Sequence, residues 1–203
     1  MQRQTRTMQE RTLVRKSKKL SWLLRHGAID ANVDMDAAGW VSIDQVLRIC
    51  ALGRGQLDEI VARNNKSRLT VRGTMIRAVQ GHSTSGTPVT VEALEASWHQ
   101  WTGVAPVFHG TNPRALSDIL VQGLKPMNRT HVHLAQSEGS KVGKRANVGV
   151  LVGVCPTQLA AAGSPLYQAD NGVLLTRFVP VSAIVSVQGV SKAGRRAAAL
   201  WSM

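Results

Sequence analysis

Between Ser83 and Pro106 the chain is interrupted by a run rich in Ser, Thr, Gly and Pro that then passes Trp98 and Trp101. Residues of this kind favour turns over regular elements, and the patterning differs on the two sides of the run. Helical periodicity dominates before it and strand-like apolar segments after it. The chain therefore reads as two domains with a connection packed by tryptophans and a boundary near residue 100. Its 203 residues suffice for two small domains, and 43% apolar residues supports folded cores rather than disorder.

Residues 1–12 carry Arg3, Arg6 and Arg11 without helical periodicity and read as a flexible basic arm. In the next stretch, 13–99, Ser17 can cap a helix whose apolar face is Leu20, Leu23 and Leu24. Gly27 ends it, which puts Arg25 and His26 at a helix C-terminus. A turn over Asp34–Trp40 leads to a short strand, Val41–Ile43, and to a helix over Asp44–Ile49 capped by Ser42 or Asp44. A further helix, Gln56–Asn64, precedes a hairpin with arms Leu69–Val71 and Met75–Ala78. Three helices and a hairpin are the parts of a winged-helix module, an analogy at the level of fold that suggests contact with nucleic acid.

In 100–203 the strand candidates are Val107–His109, His131–Leu134, Val148–Val154, Gly172–Thr176 and Ala183–Val187, with one helix over Pro113–Gln122. Gly189–Met203 reads as a basic tail partly ordered by its Ala-Leu-Trp segment. The whole is α+β, with the second lobe mostly β. Twenty-five Lys and Arg against 12 Asp and Glu give a formal charge of +13, which favours a polyanionic partner and fits RNA binding or RNA modification. The longest apolar run, Val148–Cys155, is a buried-strand length and far short of the roughly 20 residues that span a bilayer. The polar, basic start of the chain has no apolar core of a secretory signal, so the expected location is cytoplasmic. No heptad pattern or long apolar face is evident, so a monomer is expected. Cys50 and Cys155 stand far apart, with no CxxC and no nearby His pair, and read as reduced core residues rather than zinc ligands or a disulfide.

Clustered Arg and His, with few carboxylates near them, carry the chemistry. Arg25-His26, Arg68, Arg77 with Gln80-Gly81-His82-Ser83, His109-Gly110-Thr111 and Arg129-Thr130-His131-Val132-His133 recur through both halves. Arginine offers a planar fork of donors that matches phosphate oxygens and stays charged, and a neighbouring histidine adds a donor or moves a proton. A site lined this way would bind phosphate. Any one arginine is more often a solvated surface charge. His131 and His133 alternate with apolar residues and so share a strand face, which is either a site or a polar sheet surface.

In order and spacing these segments resemble the motifs of the RNA 2′-phosphotransferase family: Leu20–His26, Asp36–Val41, Asn65–Arg68, Ile76–Ser83, Phe108–Thr111 and Met127–Leu134, followed by Gly143–Arg145 and Tyr167–Val173. The likeness covers roughly residues 17–190. It implies a winged-helix RNA-binding lobe followed by an ADP-ribosyltransferase-like lobe that holds NAD⁺. It places the catalytic set on Arg25, His26, Arg68 and Arg129. NAD⁺ contacts fall on His109, Gly110, Thr111, His131, His133 and Leu134, with Arg145 and Asn171 as further candidates beside the strands. Arg77, Gln80, Gly81, His82 and Ser83 fall on the RNA phosphate.

The implied substrate is RNA with an internal 2′-phosphate, as at a tRNA splice junction, with NAD⁺ as co-substrate and no metal. The implied reaction joins the 2′-phosphate to the nicotinamide ribose and expels nicotinamide. The resulting ADP-ribosylated RNA phosphate is then resolved into 2′-hydroxyl RNA and ADP-ribose 1″,2″-cyclic phosphate. Two positions depart from the family pattern, Val79 in place of Asn and Ala135 in place of Ser; the hydroxyl absent at Ala135 is expected to remove one hydrogen bond, to the NAD⁺ ribose or to the backbone, typically about 1 kcal/mol, without loss of activity. Two other readings stay open here. One is a non-catalytic RNA-binding protein. The other is a mono-ADP-ribosyltransferase, which commonly relies on a catalytic Glu; the only acid close after His131–Leu134 is Glu138, and nothing in the sequence positions it.

Overall fold

Helix α1 (Gln2–His26) opens the chain in the computed structural model, which describes residues 2–64, 66–144, 147–199 and 201. The expected arm over residues 1–12 is thus helical from Gln2, and Ser17 lies within α1 instead of capping it. The physical reason is propensity: the first 26 residues contain no Gly or Pro and are rich in Gln, Arg, Lys and Leu, which lose little on entering a helix. Leu20, Leu23 and Leu24, spaced three and four apart, are essentially fully buried and fix the inner face of α1.

Two units divide between Ser97 and Trp98. In the first, α1 is followed by β1 (Val41–Ser42), α2 (Ile43–Cys50), α3 (Arg54–Ala62), β2 (Leu69–Arg72), β3 (Met75–Ala78) and α4 (Val91–Ala96). The strands form an antiparallel sheet in the order β1-β3-β2, with Val41 opposite Ile76 and Leu69 opposite Ala78. Ser42 caps α2 by accepting from Gln45 N at 3.2 Å, and Gly73, with φ +57°, turns the hairpin. Helix α4 lies inside the stretch expected to be an irregular connection. It starts where Thr90 accepts from Ala93 N at 3.2 Å, a cap that initiates a helix once the Gly and Pro residues end. The core joins Leu20, Leu23 and Leu24 to Val41, Val46, Leu57, Ile60 and Ile76.

The second unit runs β4 (His99–Gln100), β5 (Val107–Thr111), a 3-10 turn (Pro113–Ala115), α5 (Leu116–Gln122), β6 (Val132–Leu134), β7 (Val150–Val154), α6 (Pro156–Ala161), β8 (Tyr167–Gln168), β9 (Leu174–Thr176), β10 (Ile184–Gly189) and α7 (Lys192–Ala199). Two antiparallel sheets result, β10-β7-β5 and β4-β8-β9-β6. Phe108 and Ala135 join them by exchanging N–H···O bonds of 2.8 Å in each direction. Leu134, Val150, Val152, Val154 and Leu174 fill the core, each essentially fully buried. The protein is therefore α+β with antiparallel sheets.

The tail after Gly189 carries α7, which takes in Ala199 of the Ala-Leu-Trp segment; Leu200 lies outside the described residues. The tail docks by close backbone approach: the Gly149 carbonyl accepts from Val190 N and Ser191 N, and a Cβ on Gly194 would sit 1.7 Å from that oxygen. Among the described residues no helix is long and apolar enough to cross a membrane.

Replacing Leu24 by Ala should lower stability by about 2–5 kcal/mol, because a fully buried side chain leaves a cavity; urea denaturation reads it as a lower midpoint. The cysteines separate. Cys50 is core, and burial pushes its thiol pKa up, whereas Cys155 is partly exposed and its thiol is lowered by the Thr157 hydroxyl at 3.1 Å and the Gln158 backbone amide. Iodoacetamide at neutral pH should label Cys155 in the native protein and Cys50 only after denaturant is added, as read by peptide mass spectrometry.

Candidate active site

Arg25 and His26 form the last turn of α1, where the carbonyl end of the helix favours positive charge. Both are partly buried. The Arg25 carbonyl accepts from Ser83 N at 2.8 Å and from Ser83 Oγ at 3.2 Å. Gly86 lies so close that an added Cβ would stand 1.8 Å from the His26 carbonyl oxygen, and its own carbonyl accepts from Ile29 N at 3.2 Å. At the other end of this run, Val79 N donates to the Arg68 carbonyl at 2.9 Å. Residues 79–83, bent at Gly81 with φ +90°, thus tie the backbones of Arg25 and Arg68 into one neighbourhood of the first unit. Gln80, Gly81 and Ser83 in this run are buried. Arg68 itself is exposed and lines a groove of about 240 Å³ with Ser17, Lys18, Ser21 and Arg63.

Arg77 and His82, grouped with the phosphate contacts in the sequence, have interior surroundings. Arg77 is 3% exposed; its guanidinium lies 4.8 Å from the Trp40 ring centroid and donates to Ser97 Oγ at 2.8 Å. His82 is fully buried against Gly39, whose φ of +86° and whose absent Cβ, which would stand 2.8 Å from Nε2, admit the ring. The Asp36–Trp40 turn is shaped by Asp36 Oδ1, which accepts from Ala38 N at 2.9 Å and Trp40 N at 2.8 Å. Its motif residues therefore support the 77–83 segment from beneath. Val79, one of the two departures, is buried and contributes its backbone N–H.

The second unit carries Arg129, His109, His131, His133 and Asn171. Arg129 is exposed on a turn in which Met127 adopts φ +58° and Arg129 N donates to the Pro126 carbonyl at 3.2 Å. His131 and His133 differ in surroundings. His131 is 1% exposed, hydrogen-bonded through Nδ1 to Thr130 Oγ1 at 3.0 Å and packed edge-on against Trp98 at 4.9 Å. His133 is half-buried on β6, and its carbonyl lies 3.0 Å from His109 Nδ1 on β5. Gly110 and Thr111 are buried on β5, and a Cβ at Gly110 would stand 2.7 Å from Val148 Cγ2.

Several segments meet at the end of β6. Leu134 and Ala135 are fully buried there. Asn171 sits in the Ala169–Val173 turn and accepts through Oδ1 from Val173 N at 3.3 Å, and Gln136 Nε2 ties that turn down by donating to the Gly172 carbonyl at 3.0 Å. Gly143, φ +77°, passes so near Leu134 that a Cβ would lie 2.3 Å from its carbonyl oxygen. Arg145, which follows, is outside the described residues. Trp98, Ser97 and Gln136 were not singled out in the sequence as parts of these clusters; only the tryptophan, as an aromatic in a polar stretch, offered a signal.

In the first unit, an arginine and a histidine at a helix end suit phosphate; in the second, imidazoles on two adjoining strands and a neutral amide suit polar, hydroxyl-bearing ligands. No group of three or more His, Cys, Asp or Glu among the described residues is placed to hold a metal ion.

The family described as RNA 2′-phosphotransferase, Tpt1/KptA family, matches residues 11–178. The RNA 2′-phosphotransferase of Escherichia coli (strain K12) is 38% identical over 182 residues, which takes in 85% of this chain and 95% of that protein. The probable RNA 2′-phosphotransferases of Escherichia coli O6:K15:H31 (strain 536 / UPEC) and Shigella boydii serotype 18 (strain CDC 3083-94 / BS512) are similar to the same extent, 38% identical with the same coverage.

Proposed function

The chain belongs to the RNA 2′-phosphotransferase, Tpt1/KptA family, and on that premise we propose that it removes an internal 2′-phosphate from RNA, of the tRNA splice-junction kind, in an NAD⁺-dependent reaction. The observation that carries the reading is the joining of Arg25-His26 to Arg68 through residues 79–83. The backbones of these residues are thereby anchored to one buried segment, a fixed footing for side chains that bind a dianionic phosphate. In this reading the unit ending at Ser97 is a winged-helix RNA-binding lobe, in keeping with its helix, strand, helix, helix, strand, strand order. The unit from Trp98 is an ADP-ribosyltransferase-like lobe.

Its residues fit NAD⁺ by the chemistry of their donors. His109, His133 and Asn171 are partly exposed, uncharged or weakly charged groups on segments that meet at the end of β6, suited to a carboxamide and to ribose hydroxyls. When bound, NAD⁺ supplies an anomeric carbon that the RNA 2′-phosphate joins as nicotinamide leaves, and a 2″-hydroxyl to which the phosphorus then passes, giving 2′-hydroxyl RNA and ADP-ribose 1″,2″-cyclic phosphate. The nucleophile of the first transfer is already an anion, so Arg25, Arg68 and Arg129 need only bind and orient it. In the second transfer negative charge builds on the phosphoryl oxygens, where Arg68 and Arg129 stabilise the transition state. His26 binds the phosphate and moves a proton at its ring nitrogen. Arg77 and His82 act as supports of the 79–83 segment, given their burial.

The test is incubation with NAD⁺ and a short RNA bearing one internal 2′-phosphate. The expected products are nicotinamide, ADP-ribose 1″,2″-cyclic phosphate and RNA with a free 2′-hydroxyl. Arg68→Ala and Arg129→Ala should let ADP-ribosylated RNA accumulate, read by gel mobility; a uniform loss of both transfers contradicts the division of labour. RNA binding without NAD⁺ consumption, or stable ADP-ribosylated RNA ends from the wild-type chain, would sink the proposed activity.

A further inference from the structure

Arg68 combines an exposed side chain with a backbone held on both sides. Its carbonyl accepts from Val79 N at 2.9 Å. Its N–H meets the side chain of Asn64: with the amide oriented so that its oxygen faces the donors, that oxygen accepts from Arg68 N at 3.1 Å and Leu69 N at 3.3 Å. The Asn64 carbonyl in turn accepts from Ser67 N at 2.9 Å, closing the turn, and Ser67 takes a left-handed φ of +42° just before Arg68. A serine rarely adopts such a conformation unless its surroundings impose it. The bonds from Asn64 supply that constraint: they fix the chain immediately before the arginine and at the first residue of β2.

We infer that Asn64 is the positioning residue for Arg68, setting its Cα and side-chain direction through the two backbone amides rather than by touching the substrate. The inference rests on the role given to Arg68 above. A guanidinium on a long flexible stem is useful to a transition state only if its root is fixed, because a displacement of about 1 Å at a catalytic group can cost on the order of a hundredfold in rate. Asn suits this place for a local reason. Its short side chain reaches backbone N–H groups a few residues on, and its oxygen has two lone pairs, so it can receive both amides at once.

Three substitutions separate this role from others. Asn64→Ala removes the acceptor. Asn64→Gln keeps the amide but moves its oxygen by one methylene. Asn64→Asp keeps an acceptor at the same reach while losing the NH₂ donor. With the 2′-phosphorylated RNA and NAD⁺, the Ala and Gln variants should lose about 10- to 100-fold in kcat with KM changed far less, and should build up ADP-ribosylated RNA as Arg68→Ala does. The Asp variant should keep kcat within about threefold of wild type, since a carboxylate accepts the same two amides.

Amide hydrogen exchange by NMR gives a second readout that needs no activity. The Arg68 and Leu69 amides should exchange slowly in the wild type and in Asn64→Asp, and quickly in Asn64→Ala and Asn64→Gln. Wild-type kcat in the Ala or Gln variant, an Asp variant as slow as Ala, or amides equally protected in all four proteins would overturn the inference. A wild-type protein inactive on the RNA but showing the expected exchange pattern would count against the proposed reaction and leave the positioning contact standing.

Discussion

The carbonyl of Arg25 stands where a helix runs out of partners. The last turn of any α-helix leaves its C=O groups without intrahelical donors, and at the end of α1 one of them is satisfied by Ser83, through both its backbone N–H and its hydroxyl. From this the arrangement of the first unit follows. Ser83 can reach Arg25 only because Gly81 bends the chain and Gly86 allows it to lie against His26. The same segment is anchored by the buried Arg77 and His82 over the Asp36–Trp40 turn. The Arg77 guanidinium is accommodated there by an aromatic face and a serine hydroxyl.

Two kinds of information separate what the sequence disclosed from what it hid. Elements with strong local signals were legible: the hairpin of β2 and β3, the Ser42 cap of α2, and the apolar strands β7 and β9. Their causes are local, in turn and cap chemistry and in short continuous apolar runs. The N-terminal extension of α1 was hidden because its sequence carries no apolar stripe, and periodicity is the signal one reads first; its Gln- and Arg-rich composition without Gly or Pro favours a helix. Strand β4, two residues long, exists through pairing with β8, far away in sequence, which no local pattern records.

The candidate site was legible as a set of segments but not as a set of roles. Arg-His clustering pointed to phosphate, and the order of the motifs gave the family. What clustering could not separate is an arginine aimed at solvent, such as Arg68 or Arg129, from one packed beneath a tryptophan, such as Arg77; composition is the same and only tertiary contact differs. His131 and His133 make the same point, since alternation puts them on one face, yet Trp98 covers the first and leaves the second half-open. Cys155, expected in the core, lies at the start of α6, where a partly exposed position follows from the helix beginning at Pro156.

The contact between His109 and the His133 carbonyl settles something beyond the approach of two strands. A carbonyl oxygen can only accept, so at 3.0 Å the Nδ1 of His109 must carry the hydrogen. A neutral imidazole has one such hydrogen, and its lone pair is then at Nε2. The meeting of β5 and β6 therefore selects one tautomer of His109. It makes Nε2 the ring's acceptor, the complement of a ligand hydroxyl rather than of a phosphate oxygen. In the neutral ring, backbone geometry thus gives the two nitrogens of His109 opposite hydrogen-bonding characters.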